Sequence, residues 1–355
     1  MKARMKTYLP IVAAAVMLGA CSKIEQAEAP HTRICYNVVQ LHGTKADPTY
    51  PTDRPFISYA FMMPEGEKWE DEGKRNSYAQ PYISGATISF DGMHWYDPSK
   101  TYYWPTSGSL TFFSFSPEAV KTTDTTVDKT NGVTIKDWDV DANQTVDIMV
   151  ADVQTGQTAN RSEGLYTGVP TIFRHKLSQI VGFEFNTLKD YSSSTKFYVT
   201  RISLKNIKQK GTYVSGPLVG TTSSLIGKWT LDGSSGAKSY PYYDGGTTGT
   251  EVVYNDGTGN NTKVGSGVIM LLPQTFSDPG ETPDWAKTPH LEIAYKVGSE
   301  PKTARVSLYD LFAPSHELGM NKQITIKVTF SNEGNLILWA PDQEDWEGSE
   351  FSIVI

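Results

Sequence analysis

The sequence predicts an all-β protein built as two tandem β-sandwich domains of Greek-key, immunoglobulin-like type. Three observations carry that expectation. Short apolar runs alternate with period two: Ile324, Ile326, Val328 and Phe330 are separated by Thr325, Lys327 and Thr329. Strict alternation buries one face of a strand and wets the other. Clusters of Gly, Pro, Asn, Asp and Ser separate such runs, and the chain holds 30 Gly and 20 Pro, the residues that punctuate turns. Aromatic residues reach 12% while charged residues stop at 20%, a balance that suits strands better than helices or disorder.

The N-terminus fixes the compartment. Lys2, Arg4 and Lys6 precede an apolar run from Tyr8 to Ala20. The run is shorter than the roughly 20 apolar residues a permanent span needs and suits an export signal. It ends Leu18-Gly19-Ala20-Cys21, which resembles the bacterial lipobox, where the thiol is acylated and becomes the new N-terminus. Residues 1–20 are therefore expected to be a signal peptide and 21–33 a polar tether. Two or more acyl chains anchor a protein stably, so a lipoprotein of the outer membrane, exposed at the cell surface and carrying palmitate-type chains, is expected. The chain has two cysteines, Cys21 and Cys35. With Cys21 acylated, Cys35 has no intramolecular partner, and stability must come from a core. Roughly 330 residues follow the signal, enough for two domains.

The strands follow in order. A first strand is expected over Ile34 to Leu41, then Trp95-Tyr96 and the run SLTFFSFS from Ser109. Val181, Phe183 and Phe185 share a face in the next domain, as do Leu291, Ile293, Tyr295 and Val297. KFYVTRISLKNI, GVIMLLP and NLILWAP add further strands, and SLYDLFAPSHELG holds a helical turn or two. No segment has a sustained helical period. Residues 209–226 and 232–266 read as long surface loops or hairpins. The domains are placed at 34–170 and 171–355.

Chemistry is sparse. The six His lie in no zinc pattern, and no nucleophile elbow or phosphate loop is present. A net charge of −7 without a basic, aromatic-rich block argues against nucleic-acid binding. Asp137, Asp139 and Asp141 begin like a calcium loop, but Ala142 and Ile148 stand where its Gly and Glu are required. Asp124-Thr125-Thr126 resembles an O-glycosylation sequence of Bacteroidota. His175 reads as a polar residue satisfied at a strand edge. No catalytic residue, metal or cofactor is expected.

A series of landmarks, in order, resembles the fimbrillin family of Bacteroidota: Trp95-Tyr96, Tyr103-Trp104-Pro105, Leu110 to Pro117, Asp147-Ile148-Met149-Val150-Ala151, Phe173-Arg174-His175-Lys176-Leu177-Ser178, Met270-Leu271-Leu272-Pro273-Gln274-Thr275, then Trp339 and Trp346. The resemblance implies two transthyretin-like sandwiches in which Trp95, Trp104, Phe112, Phe115, Trp339 and Trp346 are core residues. It also implies a non-enzymatic pilus subunit with a role in adhesion, exported as a lipoprotein and trimmed by a protease after Arg or Lys. Trimming frees a groove that a strand of another subunit fills by β-augmentation. The candidate cuts follow Arg33 and Arg54; the second would release the Ile34 to Leu41 strand. Phe351, Ile353 and Ile355 alternate at the C-terminus, as a donated strand or as a last strand of the second domain. The expected partners are other pilin subunits, the outer membrane, and host proteins or glycans. An alternative reading is a monomeric lipoprotein that binds glycans on an aromatic platform around Tyr240, Tyr242 and Tyr243; a hydrolase would need converging carboxylates.

Overall fold

A computed structural model describes residues 33–38, 50–159, 168–190, 195–218, 227–234, 236–331, 336–338 and 342–345. The described chain is almost entirely β-structure, layered as sandwiches. Cys21, Trp339, Trp346, Phe351, Ile353 and Ile355 lie outside the described residues.

The first half is organised round one large sheet. Its strand order is Val169–Thr171, Tyr36–Val38, Trp95–Tyr96, Gln80–Phe90, Phe56–Met63, Ser109–Ser116, Met149–Ala151 and Phe173–His175, with Gln154–Gln157 also against Ser109–Ser116. The two ends of this order are neighbours in sequence. Only Ile172 separates Thr171 from Phe173, and its carbonyl accepts the Asp152 N–H at 2.9 Å. The sheet therefore curls round until its edges meet at one residue. The run SLTFFSFS is buried on both faces of this sheet, as an internal strand between two cores should be. Leu110 and Phe112 face the inside of the curl beside Phe56, Trp95 and Trp104. Phe113 and Phe115 face a middle core.

That middle core is closed by a four-stranded sheet, in order Lys228–Leu231, Lys210–Val214, Gly132–Asp139 and Thr125–Asp128. Strands from both sides of the 170/171 division pair here: Tyr213 opposes Ile135, and Gly211 opposes Trp138. Met270, Leu272 and Met320 enter the same core from the far half of the chain.

The second half is a sandwich. One layer is Thr262–Lys263, Ser178–Thr187, Lys322–Phe330 and Leu336–Leu338, extended by Ile269–Leu271 and Asp342–Asp345. The other is Ala237–Asp244, Phe197–Lys208, His290–Val297 and Glu300–Ser307, with Thr250–Val252. Ile324, Ile326, Val328 and Phe330 are buried between the layers, as their alternation requires. One inward set differs from expectation. A register shift between Ile180 and Gly182 turns Ile180 inward with Phe183 and Phe185, and leaves Val181 half-buried; one extra residue in a strand flips the side chains before it.

Among the described residues, two α-helices accompany the sheets. Leu308–Leu311 is the expected turn, capped by Ser307. Glu72–Tyr78 was not anticipated, because its one buried side chain is Arg75 and it has no apolar face to read. Its legible signal is the cap: the Asp71 carboxylate accepts the Lys74 N–H at 3.1 Å.

Candidate functional site: a strand held in a closing sheet

Tyr36–Val38 is a short internal strand with a neighbour on each side. It pairs in parallel with Val169–Thr171, Tyr36 opposite Val169 and Val38 opposite Thr171. It pairs antiparallel with Trp95–Tyr96 through Tyr36 and Trp95. The Val169 N–H donates to the Cys35 carbonyl and the Ile34 N–H to the Tyr102 carbonyl, both at 2.8 Å. Ile34 and Tyr36 point into the curl at 3% and 4% exposure. The Tyr36 ring meets Phe56 and Phe112 edge-on at 5.5 and 5.9 Å. Ile34 and Tyr36, with Val38 packed at the margin of the same core, and backbone bonds on both sides hold the strand. Burying Ile34 and Tyr36 contributes about 2 kcal/mol each.

Gly168 makes the close approach of its partner strand possible. Its φ is +96°, and a Cβ there would stand 2.8 Å from the Tyr36 carbonyl carbon and 2.9 Å from the Asn37 nitrogen and Cys35 oxygen. Only glycine adopts that conformation without strain and leaves room for the strand's backbone.

The two expected cut sites differ sharply. Arg33 is docked on the sheet, its guanidinium carbon 3.8 Å from the Tyr96 ring centre and its backbone bridged to Tyr103. The next residue, Ile34, is buried. The bond that follows Arg33 therefore leads directly into the buried first strand. Arg54 ends a turn whose Thr52 and Asp53 are exposed, with its N–H on the Pro51 carbonyl at 3.0 Å. It is followed by Pro55, so the enzyme that cuts there must accept a tertiary amide lacking an N–H.

The segment from Phe173 to Leu177 pins the halves together. The Phe173 ring enters the first core and Leu177 the middle one. Between them, Arg174 makes a two-pronged pair with Asp152, Nε to Oδ1 at 2.9 Å and the terminal nitrogen to Oδ2 at 3.0 Å. His175 Nδ1 lies 2.7 Å from Asp147 Oδ2. His175 therefore faces a carboxylate 28 residues earlier, a neighbour its own stretch of sequence does not advertise. The Lys176 carbonyl accepts the Trp229 indole N–H at 2.6 Å. Gln274 of the Met270 to Thr275 landmark is buried and donates to the Leu272 carbonyl at 3.0 Å.

Other expected places carry no open site. Tyr240 is 5% exposed in the second core, Tyr242 packs on Phe183 at 4.7 Å and the Tyr243 hydroxyl bonds Thr250 at 2.7 Å. These rings build a sandwich wall, so the aromatic platform expected there is not formed. The Thr125 hydroxyl is buried and donates to the Val120 carbonyl, which removes it as a glycan acceptor. Asp139 caps its own turn, accepting the Asp141 N–H at 3.1 Å, and Asp141 lies 3.1 Å from Lys238 Nζ. Trp95, Trp104, Phe112 and Phe115 are all buried core residues.

A family model described as fimbrillin-like matches residues 60–346. The chain belongs to the fimbrillin-like family. Among solved structures, a fimbrial protein from Bacteroides vulgatus superposes with a TM-score of 0.53 at 15% identity, over 89% of this chain and 99% of that one, which shows the shared fold. A candidate cell adhesion protein from Bacteroides uniformis gives 0.49 at 14% identity over 90% and 100%. The fimbrial anchor protein Mfa2 from Porphyromonas gingivalis gives 0.31 at 11% over 88% and 97%. No curated protein is similar to this fimbrillin-like chain in sequence at a significant level.

Proposed function

We propose that this fimbrillin-like protein is a non-enzymatic subunit of a cell-surface pilus. It is exported as an outer-membrane lipoprotein acylated on Cys21, then matured by trimming and assembled by strand exchange. The observation that carries the reading is the short Tyr36–Val38 strand between two partner strands in a sheet that otherwise closes on itself. Taking it out would leave a slot one strand wide, with unpaired backbone on both sides and aromatic rings at its floor. Exposed edges of that kind invite another strand, and backbone bonds with alternating side-chain pockets are how β-augmentation gains affinity and register.

The covalent tether explains why trimming matters. While residues 34 to 55 are continuous, the strand is present at an effective concentration on the order of millimolar. A cut between Val38 and Phe56 turns it into a dissociable peptide. We place the cut after Arg54 and not after Arg33, since cutting at Arg33 leaves the strand attached. The incoming strand is assigned to Phe351, Ile353 and Ile355 of another copy, which offer the same every-second-residue pattern as Ile34 and Tyr36. An adhesive role at the surface follows from that assembly.

The test is treatment of the purified full chain with an Arg-specific protease that accepts proline after the cut, followed by mass and size analysis. Loss of residues through Arg54 with growth of oligomers is expected. A trimmed chain that stays monomeric would overturn strand exchange, and trimming confined to Arg33 would overturn the assigned cut.

A further inference from the structure

Tyr50 lies in an irregular stretch four residues before Arg54, yet it is only 9% exposed. Its ring stacks on Phe173, with centres 4.8 Å apart and planes 18° apart. It meets Trp95 at 5.5 Å and Phe56 at 6.1 Å, both edge-on. Its hydroxyl lies 2.7 Å from the hydroxyl of Ser116, a fully buried residue. A tyrosine from a loop therefore fills a pocket walled by three aromatic rings and closed by one polar group.

This pocket differs from that of Tyr36, whose ring lies against Phe56 and Phe112; Phe56 lines both, and Trp95 stands opposite Tyr36 across the two strands. All four lining residues, Phe56, Trp95, Ser116 and Phe173, come after Arg54 in the chain and remain when the N-terminal segment leaves. The location of the cut then has a structural consequence. Cutting between Val38 and Tyr50 empties the first pocket alone, whereas cutting after Arg54 empties both.

We infer that the Tyr50 pocket is a second docking site for the incoming strand of another subunit, and that it takes an aromatic side chain. This rests on the strand-exchange reading. Close-packed walls leave a cavity when a ring is withdrawn, and a largely apolar cavity binds small aromatic molecules in preference to water. Ser116 adds selectivity: a phenol can bond its hydroxyl, while a plain benzene ring leaves it without that partner. Phe351 is the aromatic member of the candidate donor run; its ring would fill the apolar walls of this site without replacing the hydroxyl bond that Tyr50 makes to Ser116.

The full-length chain carrying Tyr50→Ala is titrated with p-cresol, the tyrosine side-chain analogue, and with toluene. A saturable rise in Tm is expected with p-cresol, a smaller one with toluene, and none for the wild-type chain, whose pocket is filled. Where the variant does not fold alone, p-cresol is added during refolding, and a raised yield is the expected result. Absence of any p-cresol effect on Tm or yield overturns the pocket. In a second arm, wild-type protein trimmed after Arg54 is left to assemble with and without p-cresol. Slower oligomer growth in p-cresol is expected. Growth at an unchanged rate overturns the assignment of the pocket to the partner's ring. No oligomers in either condition overturns strand exchange itself, and with it the pocket's role, while the titration still reports whether the pocket exists.

Discussion

Tyr50 and Arg174 show how single side chains set the properties of the N-terminal half. Burial pushes the Tyr50 phenol up to about 12, and the bond to Ser116 only partly offsets this. A group whose folded value is raised contributes its stability below the unfolded value, near 10, and loses it as pH climbs through the folded value. The native state should therefore weaken between about pH 10 and pH 12 by up to about 2 kcal/mol more in the wild type than in Tyr50→Phe. Denaturant midpoints of the two proteins across that window check this; parallel pH profiles would contradict it. At the junction, Asp152→Ala removes both bonds that Arg174 makes to a carboxylate in a half-buried site. Breaking such a pair should cost about 2 kcal/mol, read as a lowered midpoint at constant m-value. Tyr50 carries no signal in the sequence, and Arg174 is legible only within the Phe173 to Ser178 landmark, without its partner. Tyr50 sits between Thr49 and Pro51, where no alternation marks it as core, and the partners of Arg174 and His175 are more than twenty residues distant. Spatial pairing of that kind has no local pattern to read.

At the scale of elements, alternation made most strands legible. Ile324 to Phe330 and Leu291 to Tyr295 bury the side chains their spacing assigns to the core. The failures have physical causes. A bulge near Val181 put Ile180 in its place beside Phe183 and Phe185, and a seven-residue helix with a single buried arginine had no apolar face. The Tyr36–Val38 strand was expected from its sequence, but its two neighbours and the glycine that admits it were not. Gly168→Ala should loosen this strand selectively, because its new Cβ collides with the Cys35 to Asn37 backbone. Cys35 is half-buried and burial raises its pKa, so its thiol is a natural reporter. Maleimide should label Cys35 about tenfold faster in the variant, roughly the 1.4 kcal/mol that one strained contact can cost. Tryptophan fluorescence should be unchanged. Equal labelling rates would show that the glycine is not what seats the strand.

The whole molecule behaves as more than two beads on a string. The sheet joining Gly132–Asp139 to Lys210–Val214 and the middle core that takes Met270, Leu272 and Met320 tie the halves together. Calorimetry of the uncut chain should show one cooperative transition, with calorimetric and van't Hoff enthalpies equal; two separated transitions would contradict this coupling. Composition and alternation can place strands, but they do not show that one sheet crosses the division drawn at residue 170. Sheet partners are set by long-range register, which local periodicity does not encode. The same large-scale view gives maturation a simple signature. Cys21 and Cys35 are the only cysteines in the chain, so a cut after Arg54 yields a subunit without thiols. Native mass spectrometry of the Arg-protease-treated protein is the most direct measurement of the central claim. The account expects subunits that start at Pro55, carry no thiol, have lost the N-terminal peptide ending at Arg54, and appear in multiples of one mass. Subunits that keep that peptide bound after the cut, or that stay single once it has left, would contradict it.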